Sequence, residues 1–342
     1  MNFTFPSWRI EFAPAFLSIA PFQSRLEHVR RSGSQESSNM SSELISILFL
    51  NKNNADHLET AIKTILLQSD VNIEVIVADG GSTDGSLEIM ARYPELTVLE
   101  GADRSRADGV KRATRAARGK YIAFMTSTDG YLGPHWLSHA VAALNADPET
   151  SLIWGASANM ETDGTLRRSF YPPNFRKKYP IAQKRQWLLP WITDDGKWIS
   201  YFSELSYVVR ADVFRSIMLG EEKEPRLEGI DPVLDFHFEF IKQGYLPLYL
   251  NELANFGRKH PGQHQVSNQV GSWVDVYNEA RKDYRRRLLA SGQAHIWRDA
   301  EGREIGRIGS TRLKAMIALT RLFRLKPLQP LLSRALGLFI KP

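Results

Sequence analysis

The chain has 342 residues, 43% of them hydrophobic and 24% charged, with a net charge of +6 and no cysteine. These values describe an ordinary soluble globular composition with enough apolar matter for one large domain or two modest ones. They exclude structural disulfides and thiolate metal sites, and no run of 18 consecutive apolar residues predicts a membrane span. The charge is uneven: Arg281 to Pro342 holds 15 Lys and Arg against 4 Asp and Glu. A basic end of this kind suits phosphate, on nucleic acid or on anionic lipid.

Residues 1–42 carry Pro6, Pro14 and Pro21, then "RRSGSQESSNMSS". The apolar part is interrupted and lacks a basic lead-in, so the segment reads as a flexible extension rather than a secretory signal. Met40, just before the first strong strand, is a candidate translational start.

"LISILFL" (44–50) is a short β-rich run, as for a buried strand. In "NADHLETAIKTILLQ", Asp56 and Glu59 read as a capping pair, and Leu58, Ile62, Ile65 and Leu66 line one helical face. "IEVIVA" (73–78) is a second strand, followed by a helix capped by Ser82 or Asp84 and running to about Tyr93. "LTVLE" (96–100), "KYIAFMT" (120–126) and "SLIWGAS" are further strands. Between them lie "RADGVKRATRAAR", a helix stopped by Gly119, and "LSHAVAALN". Alternation at this spacing predicts an α/β fold with a mostly parallel sheet, whose ligands bind at the carboxyl ends of strands. Asp79, Asp103 and Asp129 all fall at such ends.

The glycines speak against a dinucleotide site. That site needs them after the first strand, where a helix N-terminus meets pyrophosphate. Here "NKNNADHL" follows the first strand, and Gly80 and Gly81 follow the second, beside Asp79. A carboxylate repels diphosphate but accepts hydrogen bonds from a base N–H or ribose hydroxyls. The plainer alternative is a turn carboxylate that satisfies backbone N–H groups.

Taken in order, the motifs resemble the family 2 glycosyltransferases of GT-A fold. They are "LNKNNADHL", "VADGGSTDGS", "DRSRADGVKRA", "GKYIAFMTSTDGY", "WGASANMETDG", "VVRADVF", "DFHFEFIKQGY" and "LANFGRKHPGQHQVS". The resemblance covers residues 43 to about 265. It implies a nucleotide-diphospho-sugar transferase fold: a mostly parallel mixed sheet flanked by helices, with a C-terminal helical extension. The expected layout is a flexible extension over 1–42, a nucleotide-sugar-binding half over 43–150, an acceptor-side half over 151–270 and a basic amphipathic helical tail over 271–342. The implied reaction moves a sugar, with inversion, from a nucleotide-sugar donor to a glycan or lipid-linked acceptor, in cell-surface polysaccharide synthesis. The alternative is a nucleotide-sugar-binding protein of the same shape with little or no transfer.

Site residues follow by matching motifs. Asn53, Asp79, Gly80, Asp103, Arg104, Asp108 and His260 are implied for the nucleotide-sugar, and Asp235 for the base that deprotonates the acceptor. Asp235 alternatively caps a helix, and Asp231 and Glu228 are rivals. The family holds a divalent ion, Mg²⁺ or Mn²⁺, through a D-x-D motif. Here its positions read Thr126 and Thr128 without gaps, with Asp129 adjacent, or one slip makes Asp129 the second aspartate. Asp129 is the metal candidate, with Arg104, Arg106 or Arg258 sharing the load; alternatively it opens the turn before Tyr131. Asp84 reads as a cap.

Other signals are discounted. His135 and His139 are spaced as on a helix face, with no third ligand in sight. Asp194–Gly196 reads as a surface turn. Trp187, Trp191 and Trp198 either stack on an acceptor sugar or, more commonly, belong to a core. "STRLKAMIALTRLFRLK" (310–326) reads as an amphipathic basic helix for an anionic membrane surface, or as one packed on the domain. The first option implies a cytoplasmic protein, peripheral on the inner face of the membrane. Nucleic acid is not expected, because the motifs of an RNA-reading strand are missing.

Overall fold

The structure is a computed structural model. It describes residues 43–101, 103–170, 191–193, 204–221, 231–259 and 269–323, all within one compact unit spanning Ser41–Pro342. His260, His264, Trp187, Trp198, Glu228 and the turn at 194–196 lie outside the described residues, as do the extension at 1–42 and the chain beyond 323.

Three parallel strands open the sheet: β1 (Leu44–Asn51), β2 (Asn72–Asp79) and β3 (Leu96–Glu100). The first two are each followed by a helix, α1 (Ala55–Leu66) after β1 and α2 (Ser86–Met90) after β2. The next helix, α3 (Arg106–Ala116), leads into β4 (Tyr121–Thr126), which lies parallel to β1 on its other side. After β5 (Gly130–Tyr131) and α4 (Trp136–Ala146) come β6 (Thr150–Met160) and β7 (Leu166–Phe170). β8 (Val208–Arg210), α5 (Ala211–Met218), α6 (Pro232–Lys242) and β9 (Leu246–Arg258) complete the sheet region. Among the described residues the sheet has nine strands in the order β3-β2-β1-β4-β8-β6-β9-β5, with β7 on β6. β8 runs antiparallel to β4 and β6, while β6 and β9 are parallel. The sheet is thus mixed, as expected, with its longest pairings parallel.

Strands β1, β2 and β4 are buried on both faces because helices cover both sides, and they read as unbroken apolar runs for that reason. One core layer joins Ile47, Phe49, Ile62, Val77 and Met125. The other joins Leu48, Ile76, Phe124, Trp154 and Phe236, and extends to Tyr277 and Leu313 in the C-terminal segment.

Local details differ from the sequence expectations. Asp56 and Glu59 do not form a capping pair. The first turn of α1 is held instead by Asp84, whose Oδ2 accepts from the Ala55 N–H at 2.8 Å, while Glu59 accepts from the Tyr93 hydroxyl and pairs with Lys63. α2 ends at Met90 rather than Tyr93. α3 ends at Ala116, with Ala117 as its C-cap in extended conformation, so Gly119 is not its stop. Gly119 serves close approach: a Cβ there would lie 2.6 Å from the Ser46 backbone nitrogen.

The C-terminal segment is not wholly helical. α7 (Gln269–Ser291) is followed by a hairpin, β10 (His295–Arg298) and β11 (Glu304–Ile308), and then by α8 (Ser310–Phe323). Its apolar side is spent on the domain, with Tyr277, Ala280, Leu288, Leu313, Met316 and Ile317 buried in the main core. Arg312, Lys314 and Arg321 of α8 face outward. The packed alternative therefore describes α8. Buried Arg281 donates to the Trp191 carbonyl at 2.6 Å, and Trp191 donates its indole N–H to Tyr277 at 2.7 Å. Trp191 is thus a core residue.

Candidate active site at the carboxyl ends of β1, β2 and β4

The parallel strands β1, β2 and β4 point their carboxyl ends to the same edge, so Asn51, Asp79 and Thr126 are neighbours by register. Asp79 is 1% exposed. Its Oδ1 accepts from the Gly81 N–H at 3.0 Å and the Ser82 N–H at 2.8 Å. Its Oδ2 accepts from the Ser82 hydroxyl at 2.6 Å and the Asn51 side-chain amide at 2.8 Å. Burial alone would raise its pKa, but these hydrogen bonds from Ser82, Asn51 and Gly81 outweigh it and hold the carboxyl below its ordinary range. Four donors fill the four acceptor positions of a carboxylate, so the turn accounts for every bond Asp79 makes.

The same turn engages Asn53, which adopts a left-handed φ of 51°. Its backbone N–H donates to the Ser82 hydroxyl at 2.9 Å and its Oδ1 accepts from the Thr83 N–H at 2.8 Å. Gly80 lies between these two loops, where a Cβ would meet the Lys52 side chain at 3.2 Å. Sequence reasoning did not single out Asn51. Its Oδ1 is buried and makes no hydrogen bond. An unpaired buried carbonyl at a strand's carboxyl end asks for a donor.

Asp103 pairs with Arg112 at 2.8 Å. Arg112 also donates to the backbone carbonyls of Leu99 (2.7 Å) and Asp79 (2.8 Å), tying the tips of β2 and β3 to the Asp103 loop. Arg112 too escaped the sequence reading; its signal was its place two turns into the helix behind Asp103. Arg104 is 91% exposed and pairs with Asp108 four residues on, at 3.3 Å. Asp108 sits in the first turn of α3, its N–H donating to the Ser105 cap.

Further along the chain, Asp231 is the cap of α6, accepting from the Val233 and Leu234 N–H groups at 2.8 and 3.3 Å, with Pro232 in the first turn. Asp235 is therefore not the cap. It lies one position past the capped N–H groups, buried, on the same helix start. Arg106 of α3 bridges the halves: its Nη1 donates to Asp231 at 2.9 Å, and its guanidinium stands 5.4 Å from the Phe124 ring centre.

Asp129 follows the carboxyl end of β4, the strand that carries Phe124. It is 6% exposed, takes the Thr126 hydroxyl on Oδ2 and the Arg258 N–H on Oδ1 at 2.9 Å. Desolvation raises its pKa above the ordinary carboxylate value, against the Thr126 and Arg258 hydrogen bonds and the Arg106 charge. The Thr126 and Thr128 hydroxyls are 3.3 Å apart. Among the described residues, this donor set does not fit a resident divalent ion. It offers one buried carboxylate, already engaged on both oxygens, beside two guanidiniums. Among the described residues no group of three or more His, Asp or Glu is placed to hold one. His135 and His139, whose rings stack at 6.0 Å, are spent on Asp70 and Glu252.

The chain is similar to known proteins in sequence and in fold. Residues 46–204 match the family model "Glycosyl transferase family 2". A protein of Mycobacterium tuberculosis (strain ATCC 25618 / H37Rv), described as uncharacterized, is 29% identical over 144 residues. That alignment takes in 40% of this chain and 42% of the relative. The chondroitin synthase of Pasteurella multocida (strain Pm70) is 26% identical over 145 residues, 41% of this chain and 15% of that protein. The match therefore spans less than half the length of these curated relatives. Among solved structures, S. aureus TarS 1–349 in complex with UDP-GlcNAc has a TM-score of 0.53 at 16% identity, covering 87% of this chain and 80% of that one. The chain has the GT-A fold, and its residues 46–204 are similar to the family 2 glycosyltransferases.

Proposed function

We propose that the protein is an inverting glycosyltransferase, moving a sugar from a nucleotide-diphospho-sugar to a hydroxyl of a glycan or lipid-linked acceptor in cell-surface polysaccharide synthesis. One observation carries the reading: the half that holds the acidic strand ends and the α6 N-terminus of the other half are bridged by the Arg106–Asp231 ion pair. Its support is the family match and the relatives, one of them named for chondroitin synthesis.

In this reading the turn built on Asp79, with Asn51, Asn53, Gly80 and Ser82, receives the nucleoside. Asp79 acts by holding that turn rigid, and Asn51 Oδ1 is the acceptor left for a ligand N–H or O–H. Asp103, fixed by Arg112, Arg104 and Asp108 form the wall beside it. His260, outside the described residues, is assigned by motif alone to the donor phosphates or the acceptor. Asp235 takes the acceptor proton as the acceptor oxygen attacks the anomeric carbon; the bond to the diphosphate oxygen breaks and its electron pair leaves with the diphosphate. Described helices are all too short or too polar to cross a membrane, and attachment to an anionic surface would fall to the outward basic residues of α8. The action would then be at the cytoplasmic face.

The test is a panel of nucleotide-sugars assayed for diphosphate release with candidate acceptors. Release that needs one donor and stops in Asp235→Asn supports transfer; donor binding without release across the panel supports the binding-protein alternative.

A further inference from the structure

We infer that the guanidinium groups of Arg106 and Arg258 together form the diphosphate-binding site of this cleft, in the place where the family's D-x-D aspartates would hold a divalent ion. This rests on the transferase reading for the identity of the ligand, a nucleoside diphosphate, and on geometry for the site. At the D-x-D positions stand two neutral hydroxyls, Thr126 and Thr128. The adjacent carboxylate, Asp129, is buried and spends one oxygen on Thr126 and the other on the Arg258 backbone.

Two cations take the space around it. Arg258, the last residue of β9, lays its guanidinium 5.6 Å from the Phe256 ring centre. Its Nε is buried with no hydrogen-bond partner, and it forms no ion pair among the described residues. Arg106 rises from the first turn of α3, on the opposite wall, and is 27% exposed. Arg106 stands over Phe124 of β4, and the Arg258 N–H reaches Asp129 just beyond that strand, so both arginines border the carboxyl end of β4. A dication here would face two like charges and one occupied ligand. A diphosphate would find two planar forks, and a fork of five N–H donors can serve Asp231 and a phosphate together. When the sugar–oxygen bond breaks, the electron pair settles on the diphosphate, and fixed positive charge stabilises it there without any proton moving.

The test is calorimetric titration of the full chain with inorganic pyrophosphate, UDP and GDP, once in excess EDTA and once in Mn²⁺ or Mg²⁺. Pyrophosphate and at least one nucleotide should bind in EDTA within about threefold of their affinity with metal. Arg258→Gln should weaken each of these ligands about tenfold or more, the loss of one charge-assisted bond. Arg106→Gln should do the same and Arg106→Lys should recover part of it, with thermal melts confirming the fold. The inference is overturned if binding appears only with metal, if no diphosphate binds at all, or if both Gln variants bind like the wild type. The two readings fail separately. Pyrophosphate binding in EDTA by a protein that turns over no nucleotide-sugar keeps this site and removes transfer. Turnover abolished by EDTA keeps transfer and removes this site.

Discussion

The turn after β2 and the floor of the cleft after β4 both place an aspartate at a strand's carboxyl end, and they treat it in opposite ways. Asp79 receives four hydrogen bonds and is held below its ordinary pKa. Asp129 receives two, is desolvated and is pushed up. Around Asp79 the polar groups are nearly all spent on one another. Around Asp129 charge is held with its demand unmet, most plainly in the Arg258 guanidinium. The first arrangement makes a rigid shape; the second leaves free energy for a ligand to collect. A satisfied carboxylate therefore positions, and an under-satisfied charge binds.

The widest contrast lies across the cleft. Asp235→Asn should lower turnover by about 10²- to 10⁴-fold while donor affinity stays constant; near-full activity would remove the base assignment. Asp79→Ala should strand the Asn51, Gly81 and Ser82 donors and cost about 3 kcal/mol of unfolding free energy. Donor affinity should fall with it, because the turn loses its shape. If denaturant melts show no loss, Asp79 is not the keystone of the turn.

A pH titration separates the buried groups that hold no charge. His237 and His295 are both 1% exposed, and burial pushes their pKa values down to about 3 and about 4. The unfolded chain takes up these protons below about pH 6.5, but the folded chain refuses them. Stability should thus be full above about pH 6.5 and fall by several kcal/mol as pH drops towards 4, with the His237 share still falling towards 3. His237→Phe should flatten that slope by about one proton; an unchanged slope would mean His237 is protonated in the fold.

Smaller effects sharpen the contrast. Asp84 accepts from the first N–H groups of α1 and α2, those of Ala55 and Ser86, so Asp84→Ala should cost about 1–2 kcal/mol with donor affinity intact. Arg104→Ala, at an exposed pair, should move stability by less than about 1 kcal/mol. A larger change at Arg104 in donor binding alone would mark a ligand contact rather than a structural one.

By itself, the sequence determined the βαβ order, the GT-A resemblance and the strand-end positions of Asp79, Asp103 and Asp129. Apolar runs and turn residues are local, and β1, β2 and β4 are buried on both faces, so pattern and burial agree there. Only the tertiary structure decided which aspartate caps α6, that Asp84 serves two helices, and that Arg106 meets Asp231 from 125 residues away. It also decided that the C-terminal segment folds back through a hairpin to bury Leu313 and Met316. In each of these the deciding partner is remote in the chain. Periodicity shows that a helix has an apolar face or a basic edge, and only the packed fold supplies the surface or the counter-charge that uses it.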